Sequence, residues 1–172
     1  DMGRRIERAH QTLQLIKRMF GEVHEDLVWL LEAKLEIADS TMTYRYRYQT
    51  SLQLAPVLDL ILVDESNPRA VGFQLAALAD HVRHLPGETT EAEQRAEPRI
   101  VLAAQAILRL CDVDAYCEPD EHGRRRSLED FVDNLSAHLR KLSDALTQRY
   151  LTHTGPSHQL GFGYGLRGEV PP

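Results

Sequence analysis

The hydrophobic positions near the start of the chain recur at intervals of three and four residues, the period of an amphipathic helix. The pattern predicts a helix over residues 3 to 20, with an apolar face made of Ile6, Ala9, Leu13, Ile16 and Phe20. Gly21 follows directly and predicts the end of this helix. The chain therefore opens with a helix of about five turns that has one face to bury.

The next segment predicts three more helices. One long helix is expected over residues 24 to 49, about 26 residues or ~39 Å long. Pro56 predicts the first turn of a short third helix or a kink, because the first turn needs no backbone N–H there. Asn67 as N-cap and Pro68 as first helical residue predict a fourth helix that runs to about His84. Gly72 inside it indicates close approach of a neighbouring backbone.

Two proline and capping signals follow in the second half. The spacing of Thr90 and Glu93 matches a capping box, and Pro98 either kinks that helix or begins a new one that runs to about Tyr116. This helix should direct Ile100, Ala104, Ile107, Leu108 and Cys111 inward.

The clearest helix is the last, predicted from about residue 127 to 151. Its apolar positions step by 3, 4, 4, 3, 4 and 4 residues, an eleven-residue repeat, and they are Leu128, Phe131, Leu135, Leu139, Leu142, Leu146 and Tyr150. Residues 154 to 172 contain too much Gly and Pro to fold alone, so we expect a disordered tail. No segment alternates with period two. The prediction is therefore an all-α fold: one helical bundle of about five to seven helices over residues 1 to 153, with one long C-terminal helix.

Composition narrows the classes of function. The 172 residues are enough for one domain, and 26 acidic against 20 basic side chains give a net charge of −6. A broad phosphate-binding surface is therefore not expected, which disfavours nucleic acid as a partner. No apolar run approaches the ~20 residues of a membrane span, and the N-terminus lacks an apolar signal region. We therefore expect a cytoplasmic protein without a membrane partner.

The polar residues of the central segment are the main candidates for function. Residues 39 to 86 place charged and amide side chains among Leu, Ile, Val and Ala, and any buried ones need hydrogen-bond or charge partners: Asp39, Arg45, Arg47, Asp59, Asp64, Asn67, Arg69 and Gln74. On a helix Tyr44 and Tyr48 share a face with Arg47. Two interpretations stay open: an aromatic and arginine pocket for a peptide or carboxylate, or a packed structural layer with Asp39, Asp59 and Asp64 as partners.

A second candidate cluster lies on the first helix, around Glu7 and Arg8. Arg4, Arg5 and His10 are within helical reach, so either an anion site or an interhelical salt bridge that fixes the register of the bundle could form. Glu7 and His10 also have the spacing of a di-iron ligand pair, but no second copy accompanies them, and we expect no metal. Cys111 and Cys117 are six residues apart, unlike a redox pair or zinc ligands. No phosphate loop or nucleophile motif is present, so no cofactor is expected and catalysis within this chain is disfavoured.

Several blocks of the chain resemble the alpha-E family, a bacterial helical domain named for a Glu-Arg motif. The similar blocks are GRRIERA, DSTMTYRYRY, APVLDLILVDESNPRAVGFQLAAL and LSDALTQRYLTH. The resemblance implies a helical fold and genomic association with circularly permuted ATP-grasp ligases, transglutaminase-like proteins and proteasome-related peptidases. It also implies that the chain, which begins in a helix almost at once, is the second half of a tandem domain. The positions matching the family signature are Glu7, Arg8, Tyr44, Arg45, Arg47, Tyr48, Asp64, Asn67, Pro68, Arg69 and Gln74.

Three functional hypotheses follow. The first is a non-catalytic module that binds a peptide substrate, or that binds an ATP-grasp ligase or a transglutaminase-like protein as its partner. Arg45, Arg47 and Arg69 would hold carboxylates. Tyr44 and Tyr48 would form a wall beside them. The second is a structural or homo-oligomerising bundle in which these polar residues pair with one another. The third is an enzyme with a composite site between two halves of the domain, with Glu7 as acid or base.

Overall fold

The computed structural model describes residues 1–49, 51–85 and 95–150, and this part of the chain is helical throughout apart from turns and one isolated backbone bridge. Seven α-helices and one π-helix are formed: α1 Met2–Phe20, α2 Leu27–Ile37, α3 Thr41–Tyr48, α4 Leu54–Leu58, the π-helix Asp59–Val63, α5 Val71–Arg83, α6 Ala96–Arg109 and α7 Arg126–Tyr150. The predicted all-α fold with a long C-terminal helix is confirmed. The capping-box pair near residue 90 and the C-terminal tail lie outside the described residues.

Four of these helices form the bundle. Helix α1 packs against α5 and α7, and α6 packs against the same two, which closes a ring of four around one core. The apolar stripe predicted for α1 is buried from Ala9 to Phe20 and partly buried at Ile6. Buried leucines of α7 lie opposite it: Leu128, Leu135, Leu139 and Leu142. No helix in this described part is long and apolar enough to cross a membrane.

The single helix predicted over residues 24 to 49 is wrong, because two helices meet at a break there. Asp39 adopts a left-handed backbone conformation with φ 49°, which an α-helix cannot accommodate. The buried Ser40 hydroxyl then donates to the carbonyl of Ala38 at 2.9 Å. The break turns α3 away from α2 and places the α3 side chains near α4 and the π-helix.

Asn67 caps a turn rather than a helix. Its Oδ1 accepts from the backbone N–H of Arg69 at 3.1 Å, but α5 begins only at Val71. The predicted helix start at Pro68 is therefore wrong. The Asn67 amide also donates to the Leu60 carbonyl at 3.0 Å and to the Ser40 hydroxyl at 3.1 Å. Asn67 thus ties the loop that precedes α5 to the π-helix and to the α2–α3 break.

Helix α6 ends earlier than predicted, at Arg109 instead of about Tyr116. Turns follow, and burial raises the pKa of the Cys117 thiol to about 11, which disfavours the reactive thiolate. The segment is closed by Arg125, which is buried and donates to the backbone carbonyls of Phe20, Glu22 and Cys117 at 2.9–3.0 Å. Three carbonyls satisfy this guanidinium, so it holds the end of α1 to the start of α7.

Candidate functional site

A pocket of about 250 Å³, here called the basic pocket, lies between α1, α2 and the loop that leads into α5. Three cationic side chains line it, and each comes from a different element: Arg8, Lys34 and Arg69. The remaining lining residues are polar or apolar but none is acidic: Gln11, Thr12, Leu15, Ile37, Ala38, Pro68 and Gln74. Like charges brought together in this way repel each other unless an anion is present, so the pocket has the chemistry of an anion site.

Helix α1 contributes one face to this pocket. Arg8, Gln11, Thr12 and Leu15 are spaced by three, one and three residues, which places them on the same side of a helix. Arg8 is exposed and makes no hydrogen bond or ion pair with any residue that the structure describes. Its guanidinium is therefore available at the mouth of the pocket.

Helix α2 contributes Lys34, which is only 2% exposed. Within the described ranges its ammonium group has no hydrogen-bond acceptor and no acidic partner. Burial lowers the pKa of Lys34 from 10.5 to about 8, so the amine is still largely protonated at pH 7. The Lys34 nitrogen itself is not fully enclosed, so the ammonium group opens into the pocket. A lysine this deeply buried without a partner is rare in a purely structural core.

The loop before α5 contributes Arg69 and the first turn of α5 contributes Gln74, and both are held in place. The Gln74 amide donates to the Pro68 carbonyl at 2.6 Å, and Gln74 Oε1 accepts from Arg5 at 3.4 Å. Arg69 donates to the Asp39 carboxylate at 3.3 Å, but this pair is solvent-exposed and therefore weak. Gln74 thus fixes the wall of the pocket, and Arg69 remains able to bind a second anion.

Glu7 does not enter the basic pocket. It is exposed and accepts a hydrogen bond from Gln11 of the same helix at 3.1 Å. Arg4 and Arg5 pair with Asp1 instead, at 3.8 and 3.5 Å. The interhelical salt bridge expected from Glu7 is therefore not formed among the described residues. Glu7 instead lines a pocket of about 260 Å³ together with His10 of α1 and Arg140 of α7.

Arg47 of α3 takes part in a separate ion-pair network at the end of the π-helix. Arg47 donates to Asp64 at 2.6 Å and to the Ser66 hydroxyl at 3.1 Å, and Asp64 also accepts from the Ser66 backbone and hydroxyl. Burial alone would raise the pKa of Asp64, but the hydrogen bonds from Ser66 and Arg47 outweigh it and lower the pKa. The expected pairing of Arg47 with an aspartate is present here.

Tyr44 and Tyr48 of α3 pack against each other with ring centroids 5.0 Å apart, and each has its own polar contact. Tyr48 donates to the Asp59 carboxylate at 2.6 Å, and burial together with this bond raises its pKa to about 12. The buried Tyr44 hydroxyl donates to the Ser51 carbonyl at 3.2 Å. These contacts support the structural interpretation of this layer.

Arg45 lies in neither cluster. It is exposed and lines a larger pocket of about 580 Å³ together with Tyr44 and the carboxylate-bearing residues Glu32 and Glu36 of α2. The ten residues proposed from the sequence therefore separate: Arg8, Arg69 and Gln74 line the basic pocket and Asn67 positions its loop, whereas Tyr48, Arg47 and Asp64 form the paired layer. Tyr44 and Arg45 line the larger pocket, and Glu7 lines a separate pocket between α1 and α7.

Lys34 was missed at the sequence level although a signal was present. It lies three residues after the buried Leu31 and directly before the buried Leu35, on the inward face of α2. A lysine on an apolar stripe is unusual because its charge must then be buried or reach the surface along its own stem.

The described residues contain no group of three or more His, Cys, Asp or Glu able to hold a metal ion.

The Arg47 pair should contribute modestly to stability. Arg47 is 39% exposed, and its replacement by Ala leaves Asp64, whose side chain is 9% exposed, with its two hydrogen bonds from Ser66. We expect Arg47→Ala to lower the free energy of unfolding by about 1 kcal/mol, rather than the several expected for a fully buried charge. Urea denaturation at pH 7 measures this. A loss above about 3 kcal/mol would show that the pair is shielded from solvent.

Together, the ring of four helices, the short helices on one side of it and the Glu-Arg pair beside a pocket define an all-helical domain. The chain belongs to the Alpha-E family, described as a predicted alpha-helical domain with a conserved ER motif, whose model matches residues 1–151. Glu7 and Arg8 are the one Glu-Arg dipeptide in the sequence. The motif therefore places Arg8 at the mouth of the basic pocket.

Similar curated proteins include an uncharacterized protein of Mycobacterium bovis and uncharacterized proteins of two Mycobacterium tuberculosis strains. Each is 30% identical over 162 residues, which cover 93% of this chain and 18% of the relative. The chain thus spans about a fifth of the length of these relatives. No solved structure matches it.

Proposed function

We propose that this chain is a non-catalytic binding module whose basic pocket holds a carboxylate of a peptide or partner protein. The observation that carries the proposal is Lys34, a buried cation with no anionic partner among the described residues. Burying a charge costs several kcal/mol unless a counter-charge is supplied. A bound carboxylate supplies that counter-charge.

The arginines fit the same ligand. A guanidinium binds a carboxylate through two parallel N–H···O bonds, which gives both affinity and orientation. Arg8 offers its whole guanidinium, and Arg69 offers the nitrogens that do not contact Asp39. The enzyme hypothesis has less support, because Glu7 is exposed, accepts a hydrogen bond from Gln11 of its own helix and lies in a different pocket from the three cations.

We propose that the carboxylate comes from a protein or peptide handled by an ATP-grasp ligase or a transglutaminase-like protein. This part of the proposal depends on the genomic association with these enzymes that the family resemblance implies. A ligase that forms amide bonds acts on carboxylates, so a module that presents a carboxylate group suits such a partner. The chain corresponds to a fifth of its longer relatives, and the partner site can therefore lie in the same polypeptide.

The pocket arginines should be required for carboxylate binding. We expect an N-acetylated tetrapeptide of three alanines and a C-terminal glutamine to shift the amide resonances of α1, α2 and the loop before α5 in NMR titrations. The same peptide with an amidated C-terminus should bind at least tenfold more weakly. Arg8→Gln and Arg69→Gln should each weaken binding of the free acid about tenfold, as expected for loss of a charged hydrogen bond worth about 1.5 kcal/mol.

Arg18→Gln is the matched control, since Arg18 is an exposed arginine of the same helix α1 that lines no described pocket. It should leave binding unchanged. Equal affinity for the acid and the amide, or equal losses in all three variants, would contradict a carboxylate site in the basic pocket.

A further inference from the structure

The cations of the basic pocket outnumber its anions by two. Arg8, Lys34 and Arg69 bring three positive charges, and the one carboxylate in contact with them is that of Asp39, which bonds Arg69 from outside the pocket and is 83% exposed. A single carboxylate ligand would therefore leave one positive charge uncompensated. Because Lys34 is almost fully buried, it is the cation that most needs its own partner.

The free polar groups of the pocket are nearly all hydrogen-bond donors. The Gln74 amide is occupied by Pro68 and Arg5, and the amide nitrogen of Gln11 is occupied by Glu7. What remains for a ligand is chiefly the two guanidinium groups and the ammonium group. A complementary ligand must therefore present several acceptors and few donors, which is the property of carboxylates and not of amides.

Depth in the pocket separates the cations. Lys34 is buried, so it lies at the floor, whereas Arg8 and Arg69 are both exposed and lie at the rim. Apolar groups from Leu15 and Ala38 also line the space. A ligand that fits this arrangement carries two carboxylates joined by a short apolar chain. One carboxylate binds Lys34 at the floor, and the other binds the two arginines at the rim.

The size of the pocket limits the ligand to about one residue. Its volume of about 250 Å³ corresponds to about eight water molecules at ~30 Å³ each, below the ~300–1,000 Å³ of typical drug-sized sites. A phosphate group carries its charge on oxygens around a single phosphorus atom, so it would not contact the apolar walls or reach from the floor to the rim. A dicarboxylate fits the arrangement better.

We infer that the basic pocket recognises the C-terminal acidic residue, glutamate or aspartate, of a peptide or protein. Lys34 binds the side-chain carboxylate at the floor, and Arg8 and Arg69 bind the terminal α-carboxylate at the rim. This inference rests on the proposed carboxylate-binding function and deepens it, since it adds a second carboxylate and names Lys34 as the residue that determines specificity.

The test compares N-acetylated tetrapeptides of three alanines that end in glutamate or in glutamine, each with a free C-terminus, in NMR titrations at low salt. The glutamate peptide should bind at least tenfold more tightly. In Lys34→Met the ratio of the two affinities should fall to about two or less, with the glutamine peptide still bound. Lys34→Gln gives a second test should the methionine variant fail to fold, and thermal unfolding reports on the fold of both.

The pH dependence of the unaltered protein gives an independent measurement. The charged groups facing Lys34 are Arg8 of α1 and Arg69 of the loop, which in turn contacts Asp39. Guanidinium groups keep their charge in proteins, so a change between pH 7 and pH 9.5 reports on Lys34. Because the pKa of the unliganded Lys34 is about 8, the preference for glutamate should shrink at least several-fold over this range.

Each contrary result has a distinct meaning. Equal binding of both peptides at pH 7 would overturn the acidic-residue inference and leave the carboxylate-binding function standing. Binding of neither peptide would overturn both. Displacement of the glutamate peptide by inorganic phosphate at concentrations below the dissociation constant of that peptide would show that the pocket is a phosphate site, which also overturns the inference.

Discussion

Replacing Lys34 with methionine should raise the free energy of unfolding at pH 7 by about 1–3 kcal/mol. Methionine keeps the length of the side chain but removes a buried charge that has no partner among the described residues. The lowering of the Lys34 pKa from 10.5 to about 8 corresponds to a penalty of about 3 kcal/mol at most, at ~1.4 kcal/mol per pKa unit. Most substitutions in a core destabilise, so a gain here indicates a residue retained for binding.

The effect should depend on pH in a defined direction. Between pH 8 and 10.5 the unfolded chain holds a proton on Lys34 that the folded chain has lost, so the contribution of Lys34 to the stability of the unaltered protein rises with pH. The penalty is complete below pH 8 and absent above 10.5, and the advantage of Lys34→Met should therefore shrink over this interval. Urea denaturation at pH 7, 9 and 10 measures the difference.

Lys141→Met is the matched control, since Lys141 is exposed on α7. Its stability should lie within about 0.5 kcal/mol of the unaltered protein at each pH. A loss of stability in Lys34→Met would mean that the ammonium group is satisfied in the free protein, and the argument for a ligand at the floor of the pocket would fail with it.

The long helices could be predicted because their apolar, buried residues recur at regular intervals along the chain. Helices α1 and α7 have apolar residues at three- and four-residue intervals over their full length, and their bounds agree with the prediction to within about one residue. Local pattern is sufficient where one face of a helix packs against one core.

The α2–α3 break could not be predicted in the same way. Both helices carry apolar residues on several sides, so periodicity gives no boundary. The break depends on the left-handed Asp39 and on Ser40, whose hydroxyl accepts from Asn67, a residue 27 positions later. Such a boundary is decided by a tertiary contact and is invisible to local propensity.

The site shows the same division between local and tertiary information. The sequence indicated that arginines and aspartates of the central segment would meet, and Arg47 with Asp64 and Arg69 with Asp39 do so. It did not indicate that Arg8 and Lys34 would lie in one pocket, because that depends on where the tertiary fold places α1, α2 and the loop before α5. The candidate site residues could be chosen from the sequence, but which of them lie together depends on the tertiary fold.

The largest loss of stability is expected for Gly72→Ala, at about 2–4 kcal/mol. Gly72 is buried in the first turn of α5, where the backbone of the π-helix passes directly over it, as its position in the sequence predicted. A Cβ atom at this position would overlap the carbonyl oxygen of Val63 and lie 2.9 Å from its carbonyl carbon and 3.3 Å from the Leu62 oxygen. Backbone atoms cannot rotate away as a side chain can, so the start of α5 must shift.

That shift should also disturb the basic pocket, because Gln74 and the loop with Arg69 belong to the same stretch of chain. Urea denaturation measures the stability of Gly72→Ala, and NMR titration with the glutamate peptide measures its binding, which should weaken. Gly3→Ala is the control: Gly3 lies in α1 with open space around it, so alanine should stabilise by up to about 1 kcal/mol through helix propensity alone. A gain of stability in both glycine variants would show that the backbone of the π-helix does not pack closely on Gly72. The loop that carries Arg69 would then not be held by a contact between the π-helix and α5.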